Sequence, residues 1–192
     1  MDKKEIKKQE IIRNSFHLMH LHGYNGTSVK DITDAASIPK GSFYNYFANK
    51  EDYAKEAIYY FYHQEDYINI FDDKNLKPLN RIVAFYEKKA IEFETEGFKC
   101  GCFVGNLTQE MGDVSELIAK ATEDFYLELT KKISSCLEEA DQSGDFNPRL
   151  DIEVLANFIV NSWQGILVRM KSQKDRKVLD DFIKVLNQIL LK

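Results

Sequence analysis

The sequence predicts an all-α protein with a helix-turn-helix near its N-terminus. Three observations predict it. Glycine occurs nine times and proline three times in 192 residues, so little punctuates the chain. Apolar residues recur at three- and four-residue spacing over long stretches. No stretch alternates apolar and polar residues as a half-buried strand would.

A first helix is expected over residues 4–22, with Ile12, Phe16 and Met19 at helical spacing and Gly23 as its stop. A second begins at Thr27-Ser28, where Ser28 can cap the helix and Asp31 stands in a capping-box position. Val29, Ile32, Ala35 and Ala36 give it one buried face. Ser37-Ile38-Pro39 reads as a turn, because proline disfavours helix at the residue before it yet tolerates a helix starting at itself. A third helix follows over roughly 39–46, and Asn49 caps a longer fourth. The turn at 72–75 and Pro78 introduce a fifth helix ending near Gly97. Cys100 to Met111 reads as a short apolar helix. From Asp113 the series Val114, Leu117, Ile118, Ala121, Phe125, Leu129, Ile133, Leu137, Ala140 marks a long one. A loop at 142–148 precedes two final helices, about 150–172 and 175–191.

Composition narrows the function classes. An apolar content of 44% with 30% charged residues is ordinary for a soluble domain. No run reaches the roughly 18 apolar residues of a membrane span, and the charged start MDKKEIKKQE lacks the core of a secretory signal. Three cysteines without a regular framework suit a reducing compartment, so a cytoplasmic location is expected. The net charge of -5 is uneven: residues 1–50 hold eight Lys/Arg and five Asp/Glu, leaving 18 bases and 26 acids elsewhere. A basic head on an acidic body suits a protein that presents one end to a polyanion.

Two short helices joined by a tight turn form a DNA-reading unit when the second is slim enough to enter the major groove. Gly41 and Ser42 keep that helix slim, while Lys40, Ser42, Tyr44, Asn45 and Tyr46 offer donors and acceptors. Ser28 and Lys50 stand at two other helix N-termini, where backbone N–H groups favour phosphate. They are expected to hold register, with Lys40, Gly41, Ser42 and Asn45 nearer the bases. The plainer alternative is a helix junction in which Tyr44 and Tyr46 are packed aromatics.

The run Gly23-Tyr24-x-Gly26-Thr27-Ser28-Val29-x-Asp31-Ile32, continued by Ala35-Ala36-x-Ile38-x-x-Gly41-Ser42-Phe43-Tyr44-x-Tyr46-Phe47-x-x-Lys50-Glu51, resembles the signature of the tetracycline-repressor (TetR) family. The likeness covers about residues 8–55, with Pro39 as one departure. It implies a homodimer of about nine helices per protomer, with a DNA head at 1–50, helix four as connector, and a ligand-sensing and dimerisation domain at 51–192. By motif, Ser28, Tyr44 and Lys50 would anchor phosphates, Lys40, Gly41, Ser42, Asn45 and Tyr46 would contact DNA from the recognition helix, and Phe43 and Phe47 would be core. The implied partners are double-stranded operator DNA, an apolar or aromatic inducer, and a second copy bound through the last two helices. No membrane partner and no cofactor are expected. Inducer binding would favour a dimer whose heads no longer stand about 34 Å apart, through a coupling of about 1–3 kcal/mol.

Beyond the head, Cys100-Gly101-Cys102-Phe103-Val104-Gly105-Asn106-Leu107, then Glu110, is similar to a segment of one TetR subgroup whose members respond to electrophiles and to small aromatic compounds. Two readings of Cys100 and Cys102 stay open. They are a thiol sensor, activated by a helix N-terminus that lowers a thiol pKa, or small buried hydrophobes. Cys136 falls by the apolar stripe of the long helix and is expected in the core. Candidate lining residues for an inducer pocket are Phe61, Phe85, Phe103, Asn106, Phe125 and Trp163. His17 and His20 share a helix face, but no cysteine or acid completes a metal shell, so packing or solvent is the expected setting. Gly165, in the middle of the helix expected over about 150–172, costs about 1 kcal/mol of helix propensity unless close packing offsets it; a dimer seam, which the family resemblance implies, and an intramolecular contact both remain open. No phosphate loop, nucleophile elbow or paired-carboxylate motif suggests an enzyme.

Overall fold

A computed structural model describes residues 2–63, 65–146 and 150–191, with backbone alone for 65–68. Among the described residues there are ten helices and no strand: α1 (Lys3–His22), α2 (Val29–Ala35), α3 (Lys40–Phe43), α4 (Lys50–Tyr62), α5 (Glu65–Asp72), α6 (Pro78–Thr95), α7 (Phe103–Met111), α8 (Glu116–Gln142), α9 (Ile152–Gln173) and α10 (Lys177–Leu190). The all-α expectation holds. The count is ten rather than about nine because the stretch read as one fourth helix ends at Tyr62, with His63 donating to the Tyr59 carbonyl. No glycine or proline marks that break in the sequence.

Local chemistry sets the other boundaries. Gly23 ends α1 at φ 77°, a conformation glycine adopts without Cβ strain, and its N–H donates to the Met19 carbonyl. Ser28 and Asp31 form the capping box at the start of α2, and Asn49 accepts from the Asp52 N–H at the start of α4. The recognition helix is shorter than the expected 39–46. Pro39 is its extended N-cap, and beyond Phe43 the turn tightens into i→i+3 bonds, Asn45 N to Ser42 O and Tyr46 N to Phe43 O.

The chain packs as two compact units, Met1–Gln64 with Phe103–Phe125, and Glu65–Cys102 with Tyr126–Lys192. In the first, Ile11, Ile12, Met19, Ile32, Phe43, Phe47, Tyr53 and Ile58 form the core of the head. Each large apolar side chain buried there is worth about 1.5–3 kcal/mol. A hydroxyl pair in this core is satisfied internally: Ser15 and Tyr53 share a 2.7 Å hydrogen bond, and Ser15 Oγ also donates to the Ile11 carbonyl at 2.7 Å. Burial raises the Tyr53 phenol pKa.

The second unit is built on α6, α8, α9 and α10, around Ile82, Tyr86, Ile133, Leu137, Ile159, Trp163, Leu179 and Leu186. Its main polar anchor is Arg81, buried on α6. Arg81 Nε donates to the Asp73 and Leu76 carbonyls at 2.7 and 3.0 Å, and its Nη atoms grip Glu139 of α8 at 2.8 and 3.2 Å. One guanidinium thereby closes the α5–α6 turn and ties it to α8, the bidentate geometry that arginine alone offers.

Candidate nucleic-acid interface and sensing residues

The head presents its polar residues on one stretch of exposed surface. Lys40, Gly41, Tyr44 and Asn45 are exposed, and Ser42 and Tyr46 half-buried. The alternation runs from α3 into the turn that follows it: Phe43 and Phe47 are buried, 5.0 Å apart at their centroids, and Tyr53 meets Phe43 tilted and Phe47 edge-on. Between them Tyr44 and Asn45 are exposed and Tyr46 is half-buried. Tyr44 is 56% exposed, its ring edge-on to Phe43, so it is not a packed aromatic. A Cβ added at Gly41 would meet nothing within 4 Å. That glycine is unnecessary for packing and leaves the outer face of α3 slim.

Ser28 and Lys50 are occupied within the fold. Ser28 N and Oγ both donate to Asp31 Oδ2, at 2.8 and 2.7 Å, and Oγ accepts from Asp31 N at 3.2 Å. These bonds from Ser28 hold the Asp31 carboxyl below its usual pKa. Lys50 Nζ donates to the Tyr24 and Thr27 carbonyls at 2.9 and 3.0 Å and stands 4.0 Å from the Tyr24 ring centroid. Its pKa is lowered by burial, against the pull of Glu110. Ser28 therefore caps α2 and Lys50 braces the segment between α1 and α2, whatever else they contact.

The six expected pocket residues fall into two groups. Phe61, Phe103 and Phe125 belong to the first unit, where Phe103 lies 5.6 Å from Phe61 and Phe61 lies 6.3 Å from Phe125. Phe16 and His20 join them, Phe103 standing edge-on to both. Asn106 is half-buried on α7 of the same unit. Phe85 and Trp163 lie in the second unit, in a chain of rings running Phe71, Phe85, Tyr86, Trp163 and Phe182 at centroid separations of 4.7 to 5.1 Å. A groove of about 770 Å³ in the second unit, lined among others by Leu79, Phe146, Leu155 and Ile189, contains none of the six.

Of the two readings of the thiols, the surroundings of Cys100 do not favour an activated one. Burial, and next the charge of Glu96, raise its pKa despite Lys171, Lys174 and Lys99. The residue sits at φ 62°, in the turn before α7, and Cys102 is buried. Cys136 is in the core, its Sγ 3.7 Å from the Phe71 carbonyl. His20 stacks on Phe16, and among the described residues no group of His, Cys, Asp and Glu is arranged to hold a metal ion. No helix among them is long and apolar enough to cross a membrane.

On α9, Val154, Phe158 and Val168 are each more than half exposed and share one face with Gly165, at spacings of four, seven and three residues. On α10, Val185 and Ile189 are exposed too. A Cβ at Gly165 would meet nothing within 4 Å, so no contact inside the protomer requires that glycine. Sequence reasoning gave no role to Glu110 of α7, which accepts from the backbone N–H groups of Tyr24 and Asn25 just after Gly23. Its signal was present as the acid closing the Cys100–Leu107 segment, but its partner lies 86 residues away.

Residues 11–57 match the model of bacterial regulatory proteins of the tetR family, and residues 78–186 that of the tetracyclin repressor-like C-terminal domain. The transcriptional repressor DhaR of Mycobacterium sp. strain GP1 is 30% identical over 186 residues, 96% of this chain and 92% of that protein. The crystal structure of a regulatory protein TetR from Rhodobacter sphaeroides shares 29% identity at a TM-score of 0.84, covering 94% of this chain and 96% of that one. The reduced form of Escherichia coli NemR has a TM-score of 0.88 at 20% identity, covering 96% of each chain, and shows the shared fold. The relatives and both domain models are regulators, not enzymes. On its sequence and its fold alike, the chain belongs to the TetR family of bacterial transcription regulators.

Proposed function

We propose that the chain is a homodimeric repressor that binds operator DNA through α2 and α3 and is released by a small apolar or aromatic molecule bound in its C-terminal region. The observation that carries this reading is the exposed set Lys40, Gly41, Tyr44 and Asn45 on α3 and the turn after it, anchored from behind by buried Phe43 and Phe47. A groove-reading helix needs this division of faces. In this reading Tyr44 contacts phosphate, and Lys40, Gly41, Ser42, Asn45 and Tyr46 meet the bases or the adjacent backbone. Ser28 contributes mainly by capping α2 and Lys50 by holding the backbone ahead of it, and each phosphate contact they make is additional to that. The exposed faces of α9 and α10 bury against the same helices of a second copy, with Gly165 at the closest approach.

For sensing we favour non-covalent binding over a thiol switch, because Cys102 is buried and the partial burial of Cys100 disfavours its thiolate. The aromatic groups in the two units are candidate pocket walls, with Asn106 as an orienting polar group.

The test is binding of the full chain to a duplex selected from random sequence, titrated at several salt concentrations beside an unrelated duplex. A preferred duplex bound two protomers at a time, with affinity falling steeply in salt, is expected. Equal weak affinity for both duplexes overturns the reading. A Cys100→Ser/Cys102→Ser variant that keeps its response to an inducer or electrophile excludes the thiol switch.

A further inference from the structure

The six residues from Gly23 to Ser28 join α1 to α2, and the backbone between Tyr24 and Thr27 is held from two sides within one compact unit. On one side is Glu110 of α7. Its Oε1 accepts from Tyr24 N at 3.2 Å, and its Oε2 accepts from Asn25 N at 3.0 Å and Asn25 Nδ2 at 3.2 Å. On the other side is Lys50 of α4, donating to the Tyr24 and Thr27 carbonyls. The peptide groups flanking Tyr24 are thus gripped at an N–H by a carboxylate and at a C=O by an ammonium.

Gly23 fits this arrangement twice over. Its φ of 77° suits glycine, and a Cβ there would stand 2.2 Å from Glu110 Oε1. The position is bare where the carboxylate needs to enter. A second polar contact follows within a turn and a half of chain: Ser115 Oγ donates to Glu51 Oε2 at 2.7 Å and accepts from Ile118 N at 3.3 Å, at the start of α8. The α7–α8 junction therefore touches the α1–α2 segment and the start of α4 through directional, charged hydrogen bonds. Such bonds fix position more narrowly than apolar packing, which tolerates sliding.

From this geometry we infer that Glu110 is the positioning residue through which α7 sets the angle of the DNA-reading pair α2–α3. The carboxylate fixes the backbone from which Ser28 launches α2, and α2 carries α3. Movement of α7 then moves the pair, and loss of the carboxylate frees it. The inference rests on the DNA-binding reading above, and its test separates the two.

The full chain, Glu110→Ala and Glu110→Gln are compared on the selected duplex and on an unrelated one, with amide exchange measured at Tyr24 and Asn25. Glu110→Ala is expected to weaken selected-duplex binding about tenfold, the effect of losing one set of charge-assisted bonds. Affinity for the unrelated duplex and the salt slope should stay as they were, because no phosphate contact is removed. A merely stabilising residue would leave the ratio of the two affinities unchanged. Glu110→Gln, which keeps the shape and one acceptor, should fall between, and it carries the comparison alone if the alanine variant does not fold. Tyr24 and Asn25 amides should exchange faster while those of α10 do not. If the unmodified chain prefers no duplex, the DNA-binding reading fails and takes this inference with it. If it prefers one and both variants keep the full preference, Glu110 has no positioning role and the DNA-binding reading stands.

Discussion

Lys50 and Tyr24 form a closed pair: the ammonium stands 4.0 Å from the centre of the ring and donates at 2.9 Å to the carbonyl of the same residue. Aromatic face and carbonyl together satisfy a half-buried cation from α4 and pin the segment ahead of α2. Lys50→Met keeps the length of the stem and removes both interactions. It is expected to lower the unfolding free energy by about 2 kcal/mol, read from urea melts followed by circular dichroism. Its effect on DNA binding reports the second role: a salt slope lower by about one indicates a phosphate contact besides the brace.

Two glycines of the head should respond in opposite ways. Gly23→Ala forces a side chain into φ 77° and into the Glu110 carboxylate. A loss of about 1–3 kcal/mol is expected, visible as a lower Tm. Gly41→Ala meets nothing in the protein and gains helix propensity of up to about 1 kcal/mol. Its Tm should hold or rise while affinity for the selected duplex falls, because the methyl group stands on the face proposed to meet DNA.

Acid should loosen the second unit through Glu139. Hydrogen bonds from Arg81, then Lys74, hold this carboxyl at about 2 in the folded protein, against an ordinary value of 4.5. A depressed folded pKa means that the stabilising contribution is fully present above the unfolded value and is lost as pH falls from about 4.5 towards 2. Arg81 stays charged throughout this range. The Tm of the unmodified chain should therefore drop more steeply between pH 5 and pH 2 than that of Glu139→Gln. Parallel profiles would show that the pair contributes nothing that depends on ionisation.

The exposed face of α9 predicts its own disruption. Phe158→Asp places a charge in the proposed seam without touching the protomer core, since Phe158 is 57% exposed. Light scattering should show a monomer, with helix content retained and the selected duplex bound at least tenfold more weakly, as one head replaces two. Gly165→Ala should weaken the dimer less, because it adds only a methyl group at the closest approach.

Much of this fold was legible in one dimension because its signals are local. The period of apolar residues marked most of the helices, and short-range caps marked their starts: Ser28 with Asp31, Asn49 with Asp52, Gly23 closing α1. The inward place of Phe43 and Phe47 was implied by the resemblance to the TetR signature, and small size and polar groups near the start of α3, with the same motif, marked the DNA-facing candidates. The break after Tyr62 was not legible, because no glycine or proline records it.

Tertiary structure alone decided what depends on partners distant in sequence. It sorted Phe61, Phe103 and Phe125 into one unit and Phe85 and Trp163 into the other. It surrounded Cys100 with enough protein to raise its pKa, a question the residues had left open. It joined Glu110 to Tyr24, and it spent the Lys50 ammonium on carbonyls rather than leaving it to solvent. Desolvation and hydrogen-bond geometry arise from the groups that folding brings together in space, so no local pattern of residues encodes them; periodicity and capping act within a few residues, and the sequence determines those by itself.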